Sequence, residues 1–440
     1  MTEKNNIFIN FLEEKLMPVA SNLSEQRHLK SIRDGIISTI PLTIIGGISL
    51  ILAFPPVDPS RTEATNIFKK FLLGWHSWAN NNMDAILTPF NMTMAIMSLF
   101  AAMAIAYSLA KEYQKQVQIN PLSSAIISGI VFLLISAPAV DGTIPMAYLD
   151  AKGLFTAMII GLVTVEVTKV LLKRGVTIKM PEGVPPAVST SFSALIPMIV
   201  NVIVFYTINL ILISVAGSNI PETIMKGLTP ALNAADSIWF VLVMIIITHL
   251  LWFVGVHGAA IIGTITGPFF TQNIMANAAS KVAGQPMEFV WTEPLWALIV
   301  TLGGSGATLA LAVLMLRSKS SQLKTVGRVG ILPGLFNINE PILFGTPLIL
   351  NPMMLIPLVL APSVNGIIGY FAIKSGLVGK AYVAVPWTTP AFIGLPLATV
   401  DWKAFVLVVL VFFIDMAIYY PFFKPYEKIL LEEEKASEAA

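Results

Sequence analysis

The sequence has 440 residues, of which 55% are hydrophobic and 12% are charged, and its mean hydropathy is +0.78. Soluble domains carry about 25% charged residues, so this composition excludes an ordinary soluble protein and predicts a polytopic membrane protein. The net charge of +2 gives no indication of nucleic-acid binding, and the lack of cysteine excludes disulfides, thiolate metal sites and a cysteine nucleophile.

The polar residues 1–33 lack the features of a cleaved signal peptide and predict a cytoplasmic N-terminal segment. Ten apolar stretches then predict membrane spans, at 34–54, 88–110, 121–140, 153–173, 190–216, 237–256, 258–280, 291–316, 350–375 and 403–423. With this count, most of the 27 Lys and Arg residues lie in inside loops, in agreement with the positive-inside rule. We therefore expect both termini, including the tail 424–440, in the cytoplasm.

Two further apolar stretches, 329–349 and 376–402, are interrupted by prolines and glycines. Irregular backbone at membrane depth persists only where protein buries it or water surrounds it. We predict two re-entrant hairpins, the first entering from the inside and the second from the outside, an arrangement that forms substrate sites in transporters. The chain would then divide into a first membrane half, 34–235 with spans one to five, and a second, 236–423 with spans six to ten and both hairpins.

Glu340 is an acidic residue in the apolar stretch GILPGLFNINEPILFGTPLILNP. An ionised carboxylate in hydrocarbon costs roughly 3 kcal/mol or more, so we expect it to be paired, protonated or facing an aqueous cavity. Asn337 and Asn339 add amide donors and acceptors, and Pro341 biases Glu340 away from helix. The cluster favours a polyhydroxylated ligand; a structural ion pair, or a loop outside the membrane, is the alternative.

Histidine and tryptophan supply the other candidate site residues. His257 lies at a predicted helix break, next to Gly258, which allows a ligand or another backbone to approach. His249, inside the same span, is predicted to be a packing residue. Trp387 and Thr388, in VPWTTP, offer an indole face and a hydroxyl to a sugar; an interfacial anchor is the alternative for Trp387.

The absence of three sequence motifs reduces the range of possible functions. The sequence contains no G-x-x-x-x-G-K-[ST] loop, no TVGYG-like filter and no arginine ladder, which argues against P-loop ATP binding, a potassium pore and a voltage sensor. No cofactor or metal site is predicted. The charged residues within or near spans that receive no site role are Glu166, Glu293 and Asp415.

The motif NINEPILFGTPLILNP resembles the membrane permease subunit IIC of the bacterial sugar phosphotransferase system (PTS), in its lactose, cellobiose and diacetylchitobiose branch. Further resembling stretches are GVPPAVSTSFSALIP at 183–197, LLWFVGVHG at 250–258 and VPWTTPAFIG at 385–394. The resemblance implies an all-α homodimer in the bacterial plasma membrane, with ten transmembrane helices and two re-entrant hairpins per chain. The first half would form the dimer interface, and the second half would carry the sugar.

The resemblance also assigns roles. Glu340 would hydrogen-bond the C6 hydroxyl of a β-linked disaccharide, His257 would lie near that hydroxyl, and Trp387 would stack on the sugar. The phosphoryl group would arrive on a cysteine of a IIB subunit; because this sequence has no cysteine, we expect a separate cytoplasmic phospho-IIB partner. Whether the chain itself counts as an enzyme is left open. From the residues alone, a proton-coupled secondary sugar transporter using Glu340 and His257 is the main alternative, and a non-transporting sugar sensor is another.

Overall fold

The computed structural model describes residues 18, 26–60, 62–181, 183–184, 189, 192–346 and 348–438. Across these residues the fold is all-helical, and the only β-type pairing is an isolated bridge between Val140 and Thr143. The prediction of an all-α fold is confirmed. The main helices are α1 (Arg27–Ser38), α2 (Ile40–Ala53), α3 (Ile67–Asn81), α4 (Met83–Asn91), α5 (Met97–Tyr113), α6 (Pro121–Ser136), α7 (Leu154–Lys173), α8 (Leu195–Ala216), α9 (Ile220–Ala235), α10 (Ile238–Phe253), α11 (Gly258–Val282), α12 (Leu309–Leu316), α13 (Ser321–Leu335), α14 (Glu340–Gly345), α15 (Pro352–Lys374), α16 (Ala391–Thr399) and α17 (Lys403–Glu438).

Six helical segments in the described part of the chain are long and apolar enough to cross a membrane, and a seventh arises if α9 and α10, bent by 68°, form one span. The six are Arg27–Ala53, Met94–Tyr113, Ala151–Lys173, Leu195–Ala216, Pro352–Lys374 and Lys403–Ala436. Helix α6 is apolar but shorter, and α11 is longer but more polar. The count of ten spans therefore stays a prediction.

Helix α8 illustrates how the sequence sets these elements. Most of its 22 residues are apolar and lie on all sides of the helix, and only 17% of its most apolar window is buried within the chain. A helix of this kind is stable where lipid or another protein surface covers it. It ends at Gly217, whose φ of 65° is the left-handed conformation that glycine adopts without steric cost. Asn219 and Ser237 then cap the first turns of α9 and α10 with their side chains.

Buried apolar side chains form two large clusters. The second-half core draws on residues between Val241 and Leu430, and the first-half core mainly on residues between Leu50 and Phe205. The first-half core also contains Ile220 of α9, Met275 and Ala278 of α11, and Tyr382 and Val383. Because Phe270 of α11 belongs to the second-half core, this helix extends from one core to the other.

The stretch 291–316, predicted as one continuous span, is interrupted. A short helical piece, Glu293–Leu295, continues into a π-helical turn, Trp296–Val300, and α12 begins only at Leu309. We call residues 301–308 the broken segment. Its three glycines have φ values of 80°, 100° and 87°, and Ala307 has φ 55°, all of which are incompatible with a continuing right-handed helix.

The stretch predicted as the first hairpin, 329–349, contains the end of α13, a non-helical first tip (residues 336–339) and α14. Asn337 ends α13 in the left-handed region with φ 61°, a conformation that asparagine tolerates better than most residues. The backbone N–H groups of Asn337 and Ile338 donate to the carbonyls of Gly334 and Pro333 and close the helix end, both at 3.0 Å. Glu340, expected outside helix, is instead the first residue of α14. Pro341 is tolerated there because first-turn N–H groups have no helical acceptor.

Candidate functional site

The first tip is attached to the broken segment through Asn339. Its Nδ2 donates to the carbonyl oxygen of Ser305 at 2.6 Å and to Oγ1 of Thr308 at 2.7 Å. A Cβ atom at Gly304 would lie 2.4 Å from Cγ of Asn339, so only glycine permits this approach. Sequence reasoning missed the broken segment, although three glycines and a serine within an apolar run (GGSGA) were a visible signal.

Asn337 joins the first tip to two other elements. Its Oδ1 accepts the backbone N–H of Gly303 at 3.0 Å, and its Nδ2 donates to the carbonyls of Trp387 at 2.6 Å and Thr389 at 3.2 Å. The side chain is only 7% exposed. We call residues 386–390 the second tip; a hydrogen bond from the Thr389 N–H to the Pro386 carbonyl closes it as a turn, at 2.9 Å. The first and second tips are therefore joined directly by hydrogen bonds.

Glu340 follows these buried asparagines but is itself exposed. Within the described residues, no hydrogen bond or ion pair engages its carboxylate, so the structure provides no support for the ion-pair alternative. Asn337 and Asn339 fix the backbone on one side of Glu340, and α14 continues it on the other. The carboxylate is thus held on a fixed support with its oxygens available to a ligand.

His257 occupies the N-terminal cap of α11, directly after the break that ends α10. Its Nδ1 accepts the backbone N–H of Ala260 at 3.1 Å, and its exposed ring lies 4.5 Å from the ring of Trp252. Because a backbone N–H can only donate, this bond makes Nδ1 an acceptor, and the ring proton then resides on Nε2. His257 therefore presents an N–H donor at its free nitrogen.

Gly258 is buried where α11 begins against α10. A Cβ atom there would lie 2.0 Å from the carbonyl oxygen of Thr248, so a larger residue would displace the His257 turn. His249 is fully buried, and its Nδ1 lies 2.7 Å from the carbonyl oxygen of Ile245 in its own helix. That environment agrees with the packing role predicted for His249.

Trp387 and Thr388 lie on the second tip. Trp387 is 48% exposed although its carbonyl is held by Asn337, so its side chain is available to a ligand. Thr388 is half-buried beside it.

The structure brings the two tips and the broken segment together. Within the described ranges, no hydrogen bond joins Glu340 to His257. A backbone hydrogen bond connects the region after α14 with the end of α10, which precedes His257: the N–H of Leu350 donates to the carbonyl of Phe253 at 2.8 Å.

The charged residues without a predicted role have separate environments. Glu166 pairs with Lys169, as a helix-surface pair would, but also with His28 and Tyr113, which join α1, α5 and α7. Asp415 is fully buried and accepts from Asn365 at 3.1 Å. No group of three or more His, Asp or Glu side chains in the described part of the chain could hold a metal ion.

Comparison with known proteins places this chain in a family. Residues 33–362 match the family model described as "Phosphotransferase system, EIIC". The chain belongs to the EIIC family. EIIC proteins are membrane-embedded, in agreement with the long apolar helices described above.

Three EIIC relatives of nearly equal similarity carry different substrate names. The PTS system cellobiose-specific EIIC component of Geobacillus stearothermophilus is 39% identical, over 98% of this chain and 96% of the relative. The PTS system lactose-specific EIICB component of Streptococcus mutans serotype c is 36% identical, over 96% of this chain and 73% of the relative. The crystal structure of the transporter ChbC, the IIC component from the N,N'-diacetylchitobiose-specific phosphotransferase system, has a TM-score of 0.88 and 38% identity, covering 97% of this chain and 99% of that chain.

Proposed function

We propose that this EIIC protein is the sugar permease of a phosphoenolpyruvate-dependent phosphotransferase system. It would bind a β-linked disaccharide of the cellobiose, diacetylchitobiose or lactose type and carry it inwards, coupled to phosphorylation at C6 by phospho-IIB. The observation that carries the proposal is the free Glu340 carboxylate, which directly follows the first tip, whose Asn337 is hydrogen-bonded to the tip bearing Trp387. The names of the EIIC relatives support the sugar class but differ in the sugar.

Glu340 supplies the group that phosphoryl transfer to an alcohol requires. Its carboxylate would accept the proton of the C6 hydroxyl while that oxygen attacks the phosphorus of a phosphocysteine in line. The oxygen–phosphorus bond forms, the sulfur–phosphorus bond breaks, and the IIB thiolate leaves. The phosphorylated sugar carries new negative charge, which weakens its fit next to Glu340 and favours release into the cytoplasm.

His257 would act as a hydrogen-bond donor in this site. With Nδ1 occupied by the Ala260 N–H, its Nε2–H is free to donate to a sugar oxygen near C6. This leaves Glu340 as the proton acceptor and gives the two residues different tasks. Gly258 would keep the His257 turn close to α10.

The remaining site residues would select and orient the sugar. The exposed indole of Trp387 would stack on the C–H face of a sugar ring, and Thr388 would offer a hydroxyl next to it. Asn337 and Asn339 belong to the substrate site as well. Since their Nδ2 groups are bonded to protein oxygens, their contribution is to hold both tips in the geometry that receives the sugar.

The architecture we propose is a homodimer in the bacterial plasma membrane with ten spans per chain and both termini in the cytoplasm. The first half, 34–235, would form the dimer interface and scaffold, and the second half, 236–423, would carry the sugar between re-entrant hairpins at 329–349 and 376–402. The two cores, each formed mainly by residues of one half, support this division. Basic inside loops would help to attract a cytoplasmic IIB partner. A relative whose name joins C and B, the EIICB component of Streptococcus mutans serotype c, supports a IIB partner.

Glu340→Gln tests the proposal, because glutamine keeps the size and the acceptor oxygen but cannot take up a proton. We expect sugar binding to persist, and phosphosugar formation from phospho-IIB to fall by about 100-fold or more, as removal of a general base does. Glu288→Gln, a change at a loop carboxylate distant in sequence from both tips, is the control. Normal phosphorylation by Glu340→Gln would contradict the assigned role. Sugar uptake driven by a pH gradient without phospho-IIB would favour the proton-coupled alternative, which membership of the EIIC family does not favour.

A further inference from the structure

The broken segment leaves carbonyl oxygens that a continuous helix would have satisfied. Backbone N–H groups inside the segment reach some of them: those of Gly304 and Ala307 donate to Thr301 and Gly304, at 2.8 and 3.0 Å. The carbonyl of Ser305 receives Asn339 from the first tip. Two further carbonyls depend on side chains from other helices.

Those two carbonyls belong to Ile299, just before the broken segment, and Gly306, within it. Asn365 of α15 donates through Nδ2 to Ile299 at 3.1 Å, and the Tyr419 hydroxyl of α17 donates to Gly306 at 2.6 Å. Both side chains are fully buried, so neither carbonyl has water as an alternative partner. The approach at Gly306 is close, since a Cβ atom there would lie 2.5 Å from Cδ1 of Leu358.

Asp415 determines the orientation of the Asn365 amide. Its Oδ2 accepts the same Nδ2 group at 3.1 Å, so that nitrogen has an acceptor on each of its hydrogens. If the amide were flipped, its oxygen would face both the carboxylate and the Ile299 carbonyl. Asp415 and Tyr419 are four residues apart on α17, which places them on one helix face towards the interrupted span.

We propose that Tyr419 and the Asp415–Asn365 pair are positioning residues for the sugar site. Tyr419 holds the broken segment from α17, and Asn365 holds the turn just before it from α15. The segment in turn holds Asn337 through the Gly303 N–H and Asn339 through the Ser305 carbonyl. None of the three needs to touch the sugar. The inference rests on the proposed function, because its primary readout is sugar binding.

Tyr419→Phe removes one hydroxyl, and α17 provides a matched control. Tyr426 is on the same helix and is also buried, but its hydroxyl has no hydrogen-bond partner among the residues that the structure describes. In purified full-length protein titrated with cellobiose, N,N'-diacetylchitobiose and lactose, we expect Tyr419→Phe to raise the Kd of the sugar that the wild type binds by about threefold to tenfold, the equivalent of one hydrogen bond. Tyr426→Phe should leave that Kd unchanged. Equal Kd values for wild type and Tyr419→Phe would overturn the inference.

Two substitutions at Asp415 test the inference independently. The conservative one should preserve sugar binding, and the other should weaken it. Asp415→Asn retains an oxygen that accepts from Asn365, so sugar binding should stay close to wild type. Asp415→Leu removes the acceptor and should raise the Kd. If Asp415→Asn were as defective as Asp415→Leu, the residue would act through its charge, and the positioning role would be wrong.

A double-mutant cycle separates positioning from general stability. If Tyr419 acts through the broken segment and Asn339, then Tyr419→Phe should have little further effect on Kd once Asn339→Ala has released the first tip. Additive effects on Kd would contradict this route. If the wild type binds none of the three sugars, the proposed function fails and this inference fails with it. Wild-type binding combined with an unaltered Tyr419→Phe overturns the inference alone.

Discussion

Asn337→Asp is the substitution that most directly separates the two tips. Aspartate keeps the size, the tolerance for φ 61° and an oxygen for the Gly303 N–H, but it replaces the Nδ2 donor with an oxygen. That oxygen would face the carbonyls of Trp387 and Thr389, now 2.6 and 3.2 Å from Nδ2. A buried acceptor left without its donor costs about 1–3 kcal/mol, so the two together cost about 2–6 kcal/mol.

Sugar affinity should report this cost, because the Glu340 side and the Trp387 side of the site are held together by these bonds. If only about 1.4 kcal/mol of the cost is expressed in binding, the Kd rises tenfold. We therefore expect at least a tenfold weaker Kd, measured by calorimetric titration of the purified protein with the disaccharide that the wild type binds.

Asn277 is a matched control for Asn337→Asp. Its Nδ2 also donates to two carbonyls, of Phe289 and Ala381, both at 2.9 Å, and its Oδ1 accepts the Phe289 N–H at 3.1 Å. Asn277→Asp should lower the melting temperature by a similar amount without the tenfold loss of affinity. Equal losses of affinity in both variants, or none in Asn337→Asp, would refute the proposal that the bond between the tips organises the sugar site.

Three further substitutions test single features of the site. Trp387→Ala should weaken sugar binding by about 1–3 kcal/mol if indole stacking on sugar resembles stacking on bases, as measured by titration. His257→Gln should reduce phosphosugar formation more than His249→Gln does, because the buried His249 faces its own helix. Gly304→Ala should weaken sugar binding and lower the melting temperature, because its Cβ would lie 2.4 Å from the asparagine that anchors the first tip.

Each of these substitutions has a control within the chain. Trp402→Ala removes a 72% exposed tryptophan from the same 376–402 stretch, and unchanged sugar binding is expected there. Gly142→Ala also strains a positive φ, but its Cβ would meet no atom within 4 Å. An unchanged Kd in Trp387→Ala would indicate that this residue is an interfacial anchor. A larger loss of phosphosugar formation in His249→Gln than in His257→Gln would mean that the wrong histidine was chosen.

Local sequence patterns predicted the helical elements and the interrupted stretches because these depend on neighbouring residues. Long apolar runs require helix in a membrane, and the prolines and glycines within 329–349 and 376–402 predicted irregular backbone. The contact of Asn337 with Trp387 joins residues 50 positions apart, and no local pattern encodes such a pairing. For the same reason the sequence indicated polar groups near Glu340, but not that both asparagine Nδ2 groups would be bonded to protein oxygens.

The broken segment was not predicted from the sequence. Residues 291–316 have the hydropathy of a span, and that average conceals three glycines with positive φ. Whether such a run stays helical depends on partners for the released carbonyls, and those partners, Asn339, Asn365 and Tyr419, come from three other segments. Tertiary context therefore decided the conformation of the segment that holds the first tip.

The central claim is that this chain delivers a β-linked disaccharide to a phosphocysteine. The most direct measurement is phosphosugar formation by the purified protein in lipid vesicles, supplied with cellobiose, N,N'-diacetylchitobiose or lactose, with and without phospho-IIB. We predict phosphosugar from at least one of these sugars only when phospho-IIB is present, and its loss in Glu340→Gln. Sugar accumulation without phospho-IIB, or binding with no phosphosugar under any IIB tested, would contradict the account.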